Sequence, residues 1–248
     1  MSEKALTGKL PREAIGLLEV PGYDRETIDA FLTLEDLTGA VSDALDEHGI
    51  DGCVPGSTLP PTLPHARICG PAVTLRNIEQ RNQPFKDAVN RVSKMAEIEA
   101  HNLAKPGDVL VIQGLDKISN MGGLSATIAK RQGEVGAIVD GGIRDIDQSR
   151  QLGFPIWSRG PSSVTGKWRL QTVAVNHVVS IDGKQCAPGD LVVADEGGIC
   201  FVPREIVQSV LKRAQEIIAG EAKRYKDINA GTPVPELAKK THVYKFAE

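Results

Sequence analysis

Two short segments of the chain carry residue types that could bind an anionic substrate and a cation. The first opens a predicted helix with Gly122, Gly123, Leu124 and Ser125. Glycines at a helix N-terminus leave backbone N–H groups free to hold an anion such as a carboxylate. The second segment contains Arg144, twenty-one residues after Gly123, followed by Asp145. Arginine clamps a carboxylate through two hydrogen bonds and aspartate offers hard oxygens to Mg²⁺, so both segments indicate carboxylate and metal chemistry.

The elements around these segments predict that they meet. Residues 109–112 and 135–139 are continuous apolar runs, which is typical of buried strands. The first run is followed by a polar loop and a predicted helix over 122–130, and the second by the loop 140–145 and a short helix over 145–152. Adjacent parallel strands would bring both loops to one sheet edge, where ligands of α/β proteins bind.

A purely structural role for the same residues is also compatible with the sequence. Aspartate is frequent at helix N-caps, so Asp145 could cap the helix that follows it. Arg144 could then simply pair with Asp145. Both interpretations stand at this point.

A glycine-rich stretch at 160–167 resembles a phosphate-binding loop but departs from it twice. Five residues separate Gly160 from Gly166 instead of four, and Trp168 stands where Ser or Thr must reach Mg²⁺. The dinucleotide pattern GxGxxG does not occur in the sequence, so both nucleotide-binding interpretations are rejected. Lys167 is either a solvated surface lysine or a cation near the site.

Histidine, serine and cysteine patterns exclude several other chemistries. The five histidines form no HExxH or paired spacing, and each is expected to be structural or exposed: His48, His65, His101, His177 and His242. No serine lies in a GxSxG elbow. The four cysteines form no CxxC pair, which favours reduced thiols and a cytoplasmic protein: Cys53, Cys69, Cys186 and Cys200.

The rest of the pattern predicts a sheet-rich α/β sandwich rather than a regular doubly wound sheet. A capping box of Thr33 and Asp36 is expected to start the first strong helix. Two Pro-Gly turns, at 105–108 and 187–190, precede similar apolar strands and form a weak internal repeat. The other expected elements are helices over 25–32, 87–104 and 204–224, strands over 66–75 and 154–157, an alternating segment over 172–181, and a hairpin of 191–194 with 199–202.

Composition narrows the class of protein further. The chain has 248 residues, a net charge of −3, 41% hydrophobic residues and only 4% aromatic residues. This is globular composition without the basic stripe or aromatic platform of a nucleic-acid binder. No apolar run approaches the length of a membrane span, and the polar start is not a signal peptide. We therefore expect neither nucleic acid nor membrane as a partner.

Several motifs, in order, resemble the RraA-like proteins. They are DGGIRD at 140–145, LGFP at 152–155, WSRG at 157–160, PGDLVVAD at 188–195 and VP at 202–203. The resemblance covers roughly residues 33–218. That family includes a regulator of ribonuclease E activity, metal-dependent aldolases of 4-hydroxy-4-methyl-2-oxoglutarate and 4-carboxy-4-hydroxy-2-oxoadipate, some with oxaloacetate decarboxylase activity, and members labelled dimethylmenaquinone methyltransferase.

The resemblance implies a swivelling α/β/β/α sandwich that assembles as a homotrimer or a dimer of trimers, with sites between subunits. The expected organisation is an N-terminal extension over 1–32, one RraA-like catalytic domain over 33–224 and a C-terminal tail over 225–248. The tail is expected to lie over the body or over a neighbouring subunit.

The resemblance also assigns roles to the site residues. Gly122, Gly123, Leu124 and Ser125 would hold the carboxylate of a 2-oxo acid, Arg144 would bind the substrate, and Asp145 would hold Mg²⁺ or Mn²⁺. Regulator-type members often lack that aspartate, so its presence favours an enzyme. One position departs from the family, because the aldolases carry a carboxylate where this chain has Gly123. Asp116 and Glu196 are candidate substitutes for it.

The expected function is therefore a divalent-metal-dependent carbon–carbon lyase acting on small 2-oxo dicarboxylates. It would cleave a 4-hydroxy-2-oxo acid by a retro-aldol reaction, decarboxylate oxaloacetate, or do both, and yield pyruvate. The departure at Gly123 weakens the aldolase expectation more, because retro-aldol cleavage needs a base and β-keto acid decarboxylation does not. The alternatives are a non-catalytic protein-binding regulator of the ribonuclease-inhibiting kind and a different lyase or hydratase chemistry on the same scaffold.

Overall fold

The computed structural model describes residues 4–81 and 83–239, which form a mixed α/β structure. In chain order its helices are α1 (Arg25–Leu32), α2 (Leu37–Glu47), α3 (Pro84–Asn90), α4 (Glu97–Leu103), α5 (Gly123–Gln132), α6 (Ile146–Gln151), α7 (Val207–Asn229) and α8 (Val234–Lys239). Its strands are β1 (Cys53–Pro55), β2 (Ile68–Glu79), β3 (Val109–Gln113), β4 (Ser119–Met121), β5 (Gly136–Ile143), β6 (Ile156–Pro161), β7 (Leu170–Val175), β8 (Val179–Ile181), β9 (Lys184–Cys186), β10 (Leu191–Ala194) and β11 (Gly198–Val202). Single 3₁₀ turns at Arg12–Ala14 and Arg204–Ile206 complete the described elements.

The long strand β2 joins two halves of the sheet. Its first residues pair antiparallel with β10, and the order continues through β11 to β1. Its later residues pair parallel with β3, and β3 pairs parallel with β5. Strand β4 pairs with the end of β5 on the edge that also carries β3, and β6 pairs with the opposite edge of β5. Strand β7 pairs antiparallel with the end of β2. The predicted hairpin of 191–194 with 199–202 is confirmed by β10 and β11.

Three apolar clusters show how the layers stack. Leu110 and Ile112 of β3 pack into a cluster with α4 and α5, whereas Val109 and Val111 pack into a central cluster. The residues of strand β10 alternate in the same manner, so that one set packs against α2 and α7 and the other set packs into the central cluster. Both faces of these strands are therefore buried, which explains their continuous apolar sequences. The layers follow the order helices, sheet, sheet, helices.

The weak internal repeat is a repeated turn. Gly107 and Gly189 have φ angles of +96° and +91°, as the third position of a type II turn requires. The aspartate that follows each glycine accepts a hydrogen bond from the first residue of the turn, at 2.7 Å for Lys105 N and 2.8 Å for Ala187 N. The two turns launch β3 and β10, which flank β2 on opposite sides.

The helix predicted over 87–104 is wrong, because it is two helices with an extended break. Helix α3 ends at Asn90, and Arg91 takes a left-handed φ of +55°. The intervening residues follow the edge of β7, where Lys94 bridges Gln171 and Ala96 N donates to Thr172 Oγ1 at 2.9 Å. Tertiary pairing with β7 therefore overrides the helical periodicity.

Two further expectations are corrected. The alternating segment 172–181 is not one strand, because Asn176 at φ +52° turns the chain out of β7. Its side chain accepts from Thr74 N and donates to Leu17 O, which stabilises that turn. Thr33 does not cap α2 but ends α1, and Asp36 caps α2 by accepting from Gly39 N.

The chain ends are only partly described. The N-terminal segment packs on the body through Leu10, Ile15 and Val20, which are buried in the cluster with α4 and α5. At the other end, α8 packs on the exposed end of α7. Of the tail expected over 225–248, residues 240–248 lie outside the described residues. In the described part of the chain, none of the helices has both the length and the apolar character for crossing a membrane.

Candidate active site

The two segments singled out in the sequence lie at one edge of the sheet. Strand β4 runs into α5 and β5 runs into α6, and the two strands are parallel neighbours with Ser119 opposite Gly142 and Met121 opposite Ile143. Gly122 and Gly123 follow β4, while Arg144 and Asp145 follow β5. The carboxyl ends of parallel strands are where α/β proteins bind ligands.

A direct hydrogen bond links the two segments. The backbone N–H of Gly123 donates to Asp145 Oδ2 at 3.0 Å. A Cβ atom at Gly122 would lie 3.0 Å from both Arg144 Nε and Asp145 Oδ2, closer than side chains normally approach. Glycine at position 122 therefore lets the two loops come together.

The structure separates the two interpretations of Asp145. This residue lies just before α6 with a left-handed φ of +56°, and its side chain makes no capping hydrogen bond to α6. Its carboxylate is instead bonded to the first turn of α5, so the capping interpretation is wrong. The expected pairing is present, since Arg144 Nε lies 3.5 Å from Asp145 Oδ2. Both contacts use Oδ2, which leaves Oδ1 for another ligand.

An open cleft of about 570 Å³ lies at this edge. The side chains of Arg144 and Asp145 are 34% and 45% exposed, so both remain accessible to a small solute. The cleft is lined by Ile143, Arg144, Asp145, Ile146, Asp147, Gln148, Arg150, Pro161, Ser162 and Ser163. Three of these residues, Pro161, Ser162 and Ser163, belong to the stretch that resembled a phosphate loop, and Ser162 N donates to Ile143 O at 2.7 Å. That stretch thus forms a wall of the cleft.

The first turn of α5 has the geometry of an anion site. Gly122 precedes the helix without a side-chain cap, and the first N–H groups of a helix have no partners within it. Gly123 N is occupied by Asp145, so the N–H groups of Leu124 and Ser125 are the remaining donors of this turn. The side chain of Leu124 is exposed, and that of Ser125 is buried. The two substrate-loop residues therefore differ: Leu124 faces solvent and Ser125 faces the interior.

Ser125 is held by a buried chain of polar groups that the sequence did not predict. His101 Nε2 lies 2.8 Å from Ser125 Oγ, and His101 Nδ1 lies 2.7 Å from Glu134 Oε1. The side chains of His101 and Glu134 are both fully buried. In the sequence, this pair is indicated only by Glu134, which directly precedes the apolar run 135–139. A carboxylate buried at that position requires a polar partner. His101 is structural, as expected, but it supports the candidate site.

Replacing His101 with Leu leaves the Glu134 carboxylate buried without that partner. We expect this change to lower the free energy of unfolding by about 3–5 kcal/mol, as for other broken buried pairs. Urea unfolding followed by circular dichroism measures the change. The control is His177→Leu, because His177 is exposed and should change the free energy by no more than about 0.5 kcal/mol. Equal effects in both variants would contradict a stabilising role for the buried pair.

The space beside Gly123 is taken by Gln148. A Cβ atom at position 123 would collide with Gln148 Oε1 and lie 3.2 Å from the Cβ of Asp145. Gln148 Nε2 donates weakly to Thr127 Oγ1 at 3.4 Å. A neutral amide thus occupies the place where a side chain at 123 would project. The sequence contained no signal for this contact, because Gln148 reaches position 123 only through the packing of α6 beside α5.

Three other candidates lie outside the cleft. Glu196 binds His65 through Oε1 and Oε2, in a hollow it shares with Asp36. Asp116 accepts from Lys117 N in an exposed loop. Lys167 is exposed and is not among the lining residues, which favours the surface-lysine interpretation. Neither acid therefore substitutes, within this chain, for a carboxylate at Gly123.

Other motif residues organise the adjacent sheet edge. Arg159 lies 2.5 Å from Asp140 Oδ1 through Nε and 2.8 Å from Asp182 Oδ1 through Nη2. The hydrogen bond to Asp182, aided by Asp140, raises the pKa of Arg159. Asp182 N also donates to Asp140 Oδ2 at 2.8 Å. This network ties the β8–β9 hairpin to β5 and β6, so Asp140 and Arg159 are structural here.

The donor set of the cleft fits one hard cation. Asp145 supplies one carboxylate oxygen, and Mg²⁺ in proteins is often held by one or two carboxylates with water and substrate as the other ligands. Within the described residues, no group of three or more His, Cys, Asp or Glu side chains converges on one point. A cation at Asp145 would therefore depend on water and substrate for most of its coordination.

Comparison with known proteins identifies the relatives of this arrangement. The family model RraA-like, described as Aldolase/RraA, matches residues 38–201, about two thirds of the chain. The chain belongs to the RraA-like family. It is 31% identical over 194 residues to a protein of Halalkalibacterium halodurans with the provisional name 4-hydroxy-4-methyl-2-oxoglutarate aldolase, covering 77% of this chain and 84% of the relative.

Solved structures support the same assignment of fold. An uncharacterised protein of Pseudomonas syringae pv. tomato superposes with a TM-score of 0.71 at 27% identity, covering 88% of this chain and 99% of the other. RraAS2 of Streptomyces coelicolor, described as an unusual member of the RNase ES inhibitor RraA family, has a TM-score of 0.66 at 27% identity, covering 86% and 98%. The expected RraA-type α/β fold is thus confirmed.

Proposed function

We propose that this RraA-like protein is a divalent-metal-dependent carbon–carbon lyase that acts on small 2-oxo dicarboxylates and releases pyruvate. The observation that carries the proposal is that Arg144 and Asp145 line one open cleft, while Asp145 also accepts a hydrogen bond from Gly123 N in the first turn of α5. The aldolase names of relatives at modest identity support a lyase. Arg144 and Arg150 line the cleft and supply positive charge that suits an anion.

Substrate binding in this proposal uses the charges of the cleft and the backbone donors of the first turn of α5, to which Asp145 is bonded. One carboxylate of the substrate accepts hydrogen bonds from the free N–H groups of Leu124 and Ser125, where the helix dipole also favours negative charge. Arg144 donates to the same carboxylate or holds the second one. Leu124 and Ser125 would bind the substrate only through their backbone N–H groups, because the side chain of Ser125 is hydrogen-bonded to His101 in the interior.

Asp145 is the residue that would hold the cation. When bound, a divalent cation supplies a Lewis acid that draws electron density from the 2-oxo group as negative charge develops there. Asp145 keeps its position through the hydrogen bond from Gly123 N, which orients the carboxylate without neutralising it. Arg144 adds a fixed positive charge on the same side of the cleft, which favours the developing enolate.

Gln148 makes decarboxylation the preferred reaction. Retro-aldol cleavage needs a base for the proton of the substrate hydroxyl, and the neutral amide beside Gly123 cannot accept one. Decarboxylation of oxaloacetate breaks the bond to the departing carboxylate and leaves its electron pair on the enolate, with no proton to remove. Protonation of the enolate then gives pyruvate. We therefore rank oxaloacetate above 4-hydroxy-2-oxo acids as the substrate.

The test measures pyruvate and carbon dioxide formed from oxaloacetate by the purified protein with Mg²⁺ or Mn²⁺. Free metal ions also decarboxylate oxaloacetate, so the same metal with heat-denatured protein supplies the background rate. We expect turnover above that background, its loss on chelation and its return when the metal is restored. Absence of turnover with both oxaloacetate and a 4-hydroxy-2-oxo acid would overturn the proposal, as would turnover that chelation leaves unchanged.

Replacing Arg144 with Lys should weaken substrate binding more than it slows the chemical step. Lysine keeps the charge but loses the two-pronged donor geometry. A lost charge-assisted hydrogen bond of about 1.5–3 kcal/mol raises KM roughly 10- to 150-fold. Steady-state kinetics with oxaloacetate measures the split between KM and kcat.

The matched control is Arg150→Lys, since Arg150 lines the same cleft but bonds to Thr62 O. Its KM should stay within a factor of about 3 of the unmodified protein, because lysine keeps the charge and the proposal gives Arg150 no contact with the substrate. An equal rise of KM in both variants would mean that the cleft responds to any loss of arginine and that Arg144 holds no special contact.

A non-catalytic regulator is the second candidate, favoured by the fold similarity to RraAS2. A regulator would bind its partner protein through its surface, so Asp145→Ala would leave binding intact. Co-purification with a large partner that survives this substitution, together with no lyase activity, would favour the regulator. Loss of turnover in the same variant would favour the enzyme.

A further inference from the structure

A pair of thiols lies away from the candidate active site, on adjacent strands of the other half of the sheet. Cys53 of β1 is directly opposite Cys200 of β11, and their sulfur atoms are 3.1 Å apart. The flanking hydrogen bond from Phe201 N to Gly52 O shows that this is a non-hydrogen-bonded pair of the antiparallel ladder. Side chains of such pairs lie closest together.

We propose that Cys53 and Cys200 form a site of reversible disulfide formation, with a small disulfide such as glutathione disulfide as the oxidant. The proposal does not depend on the lyase activity. The other two cysteines, Cys69 and Cys186, are buried and unpaired, so they provide an internal comparison.

Access to the pair comes through Cys53. A hollow of about 310 Å³ is lined by both cysteines together with Thr38, Ser42 and Gly197 among others. Cys53 is partly exposed at this hollow, whereas Cys200 is only 1% exposed. A small oxidant therefore reaches Cys53 first, and Cys200 can react only with a sulfur already attached to Cys53.

The pKa values of the two thiols also favour Cys53 as the group that reacts first. The neighbouring Cys200 thiol, with help from Ser42, lowers the pKa of Cys53, and a lower pKa increases the thiolate that attacks disulfides. The contact with Cys53 and burial raise the pKa of Cys200. Asp46 and Asp51 oppose ionisation of Cys53, and Asp36 and Asp195 oppose that of Cys200, so Cys53 is the attacking group.

The reaction is balanced without any further reactant. The Cys53 thiolate attacks one sulfur of glutathione disulfide, the sulfur–sulfur bond breaks and one glutathione thiolate leaves. Cys200 then loses its proton and attacks the Cys53 sulfur, which releases the second glutathione. Two electrons pass from the protein thiols to the oxidant, and the two protons leave with the two glutathione molecules.

The bond should be easy to reduce. Cα atoms of a non-hydrogen-bonded pair are about 4.5 Å apart, near the lower end of the range of about 4.4–6.8 Å that disulfides span. Bonds at the edge of that range are more readily reduced. Formation also removes the S–H that Cys200 donates to Thr38 O at 3.5 Å, at the start of α2.

The test treats the reduced full-length protein with glutathione disulfide, blocks free thiols and maps peptides without reduction. We expect a peptide linked through Cys53 and Cys200, with Cys69 and Cys186 still blocked as thiols. Dithiothreitol should restore the free pair. The Cys200→Ser variant should instead accumulate glutathione on Cys53, and Cys53→Ser should form no linked peptide.

Stable glutathione on Cys53 of the unmodified protein, with no linked peptide, would overturn the proposal. So would modification of Cys69 or Cys186 at the rate of Cys53. If Cys200→Ser does not fold, the unmodified protein and Cys53→Ser still test the proposal. A disulfide between Cys53 and Cys200 requires that the linked peptide be present in the unmodified protein and absent in Cys53→Ser.

Discussion

Replacing Asp145 with Asn is expected to lower the proposed metal-dependent decarboxylation of oxaloacetate by about 10³-fold, the effect of removing several kcal/mol of electrostatic stabilisation. The substitution is well matched to the site. Asparagine tolerates the left-handed φ of +56° found at position 145. Its amide oxygen can still accept the hydrogen bond from Gly123 N. Only the charge and the metal affinity are lost, so the fold should be unchanged.

The control for this prediction is Asp147→Asn. Asp147 lines the same cleft, but its side chain is 91% exposed and forms an ion pair with Arg150 at the surface. The control should therefore retain the activity of the unmodified protein within a factor of about 3. Metal affinity measured by calorimetry supplies a second readout. Full activity of Asp145→Asn at saturating metal would contradict a role for this carboxylate.

The double variant Gly123→Asp with Gln148→Ala should gain retro-aldol cleavage of a 4-hydroxy-2-oxo acid. The second change removes the amide with which a side chain at 123 would collide. Position 123 lies in the first turn of α5, where a negative charge is favoured by the helix dipole. A correctly placed base contributes about 10²–10⁴-fold, so the ratio of retro-aldol to decarboxylation rates should rise by that order. Coupled assays of pyruvate from each substrate measure the ratio.

The matched control is Gly123→Asn with Gln148→Ala, which fills the same space without a base. It should gain nothing in retro-aldol cleavage. If the Asn variant gained as much as the Asp variant, the effect would come from shape and the base argument would be wrong. If neither gained, Gly123 and Gln148 would not be what limits retro-aldol cleavage.

Patterns of local origin were predictable from the sequence. The buried strands β3 and β5 follow from continuous apolar runs, and α1 and the β10–β11 hairpin were placed at nearly the observed bounds. The Pro-Gly turns before β3 and β10 also follow from residue type, because only glycine readily takes φ angles near +90°. The helix over 87–104 failed for the opposite reason. Its apolar spacing was helical, but pairing with the edge of β7 supplied hydrogen bonds that a single-segment pattern cannot reveal.

Some features of the candidate site could likewise be predicted from the sequence, and others could not. The residue types of Arg144 and Asp145, and the order of the strands before them, predicted that they would meet the glycines at 122 and 123. The sequence could not choose between capping and ligand binding for Asp145, because both uses need the same residue next to a helix. The bond from Gly123 N, which joins residues twenty-two positions apart, argues against capping of α6, whereas ligand binding by Asp145 is part of the proposed function.

The layered α/β class, the glycine-rich turn, the arginine and the aspartate could all be predicted from the residues alone, since they depend on residue type and short-range order. Their neighbours in space, by contrast, depend on tertiary packing. Packing places Gln148 next to Gly123 and buries His101 and Glu134 beside Ser125. It also brings Cys53 into contact with Cys200. Each of these contacts joins separate elements, and its distance is set by how helices and strands pack, which no local pattern of residues encodes.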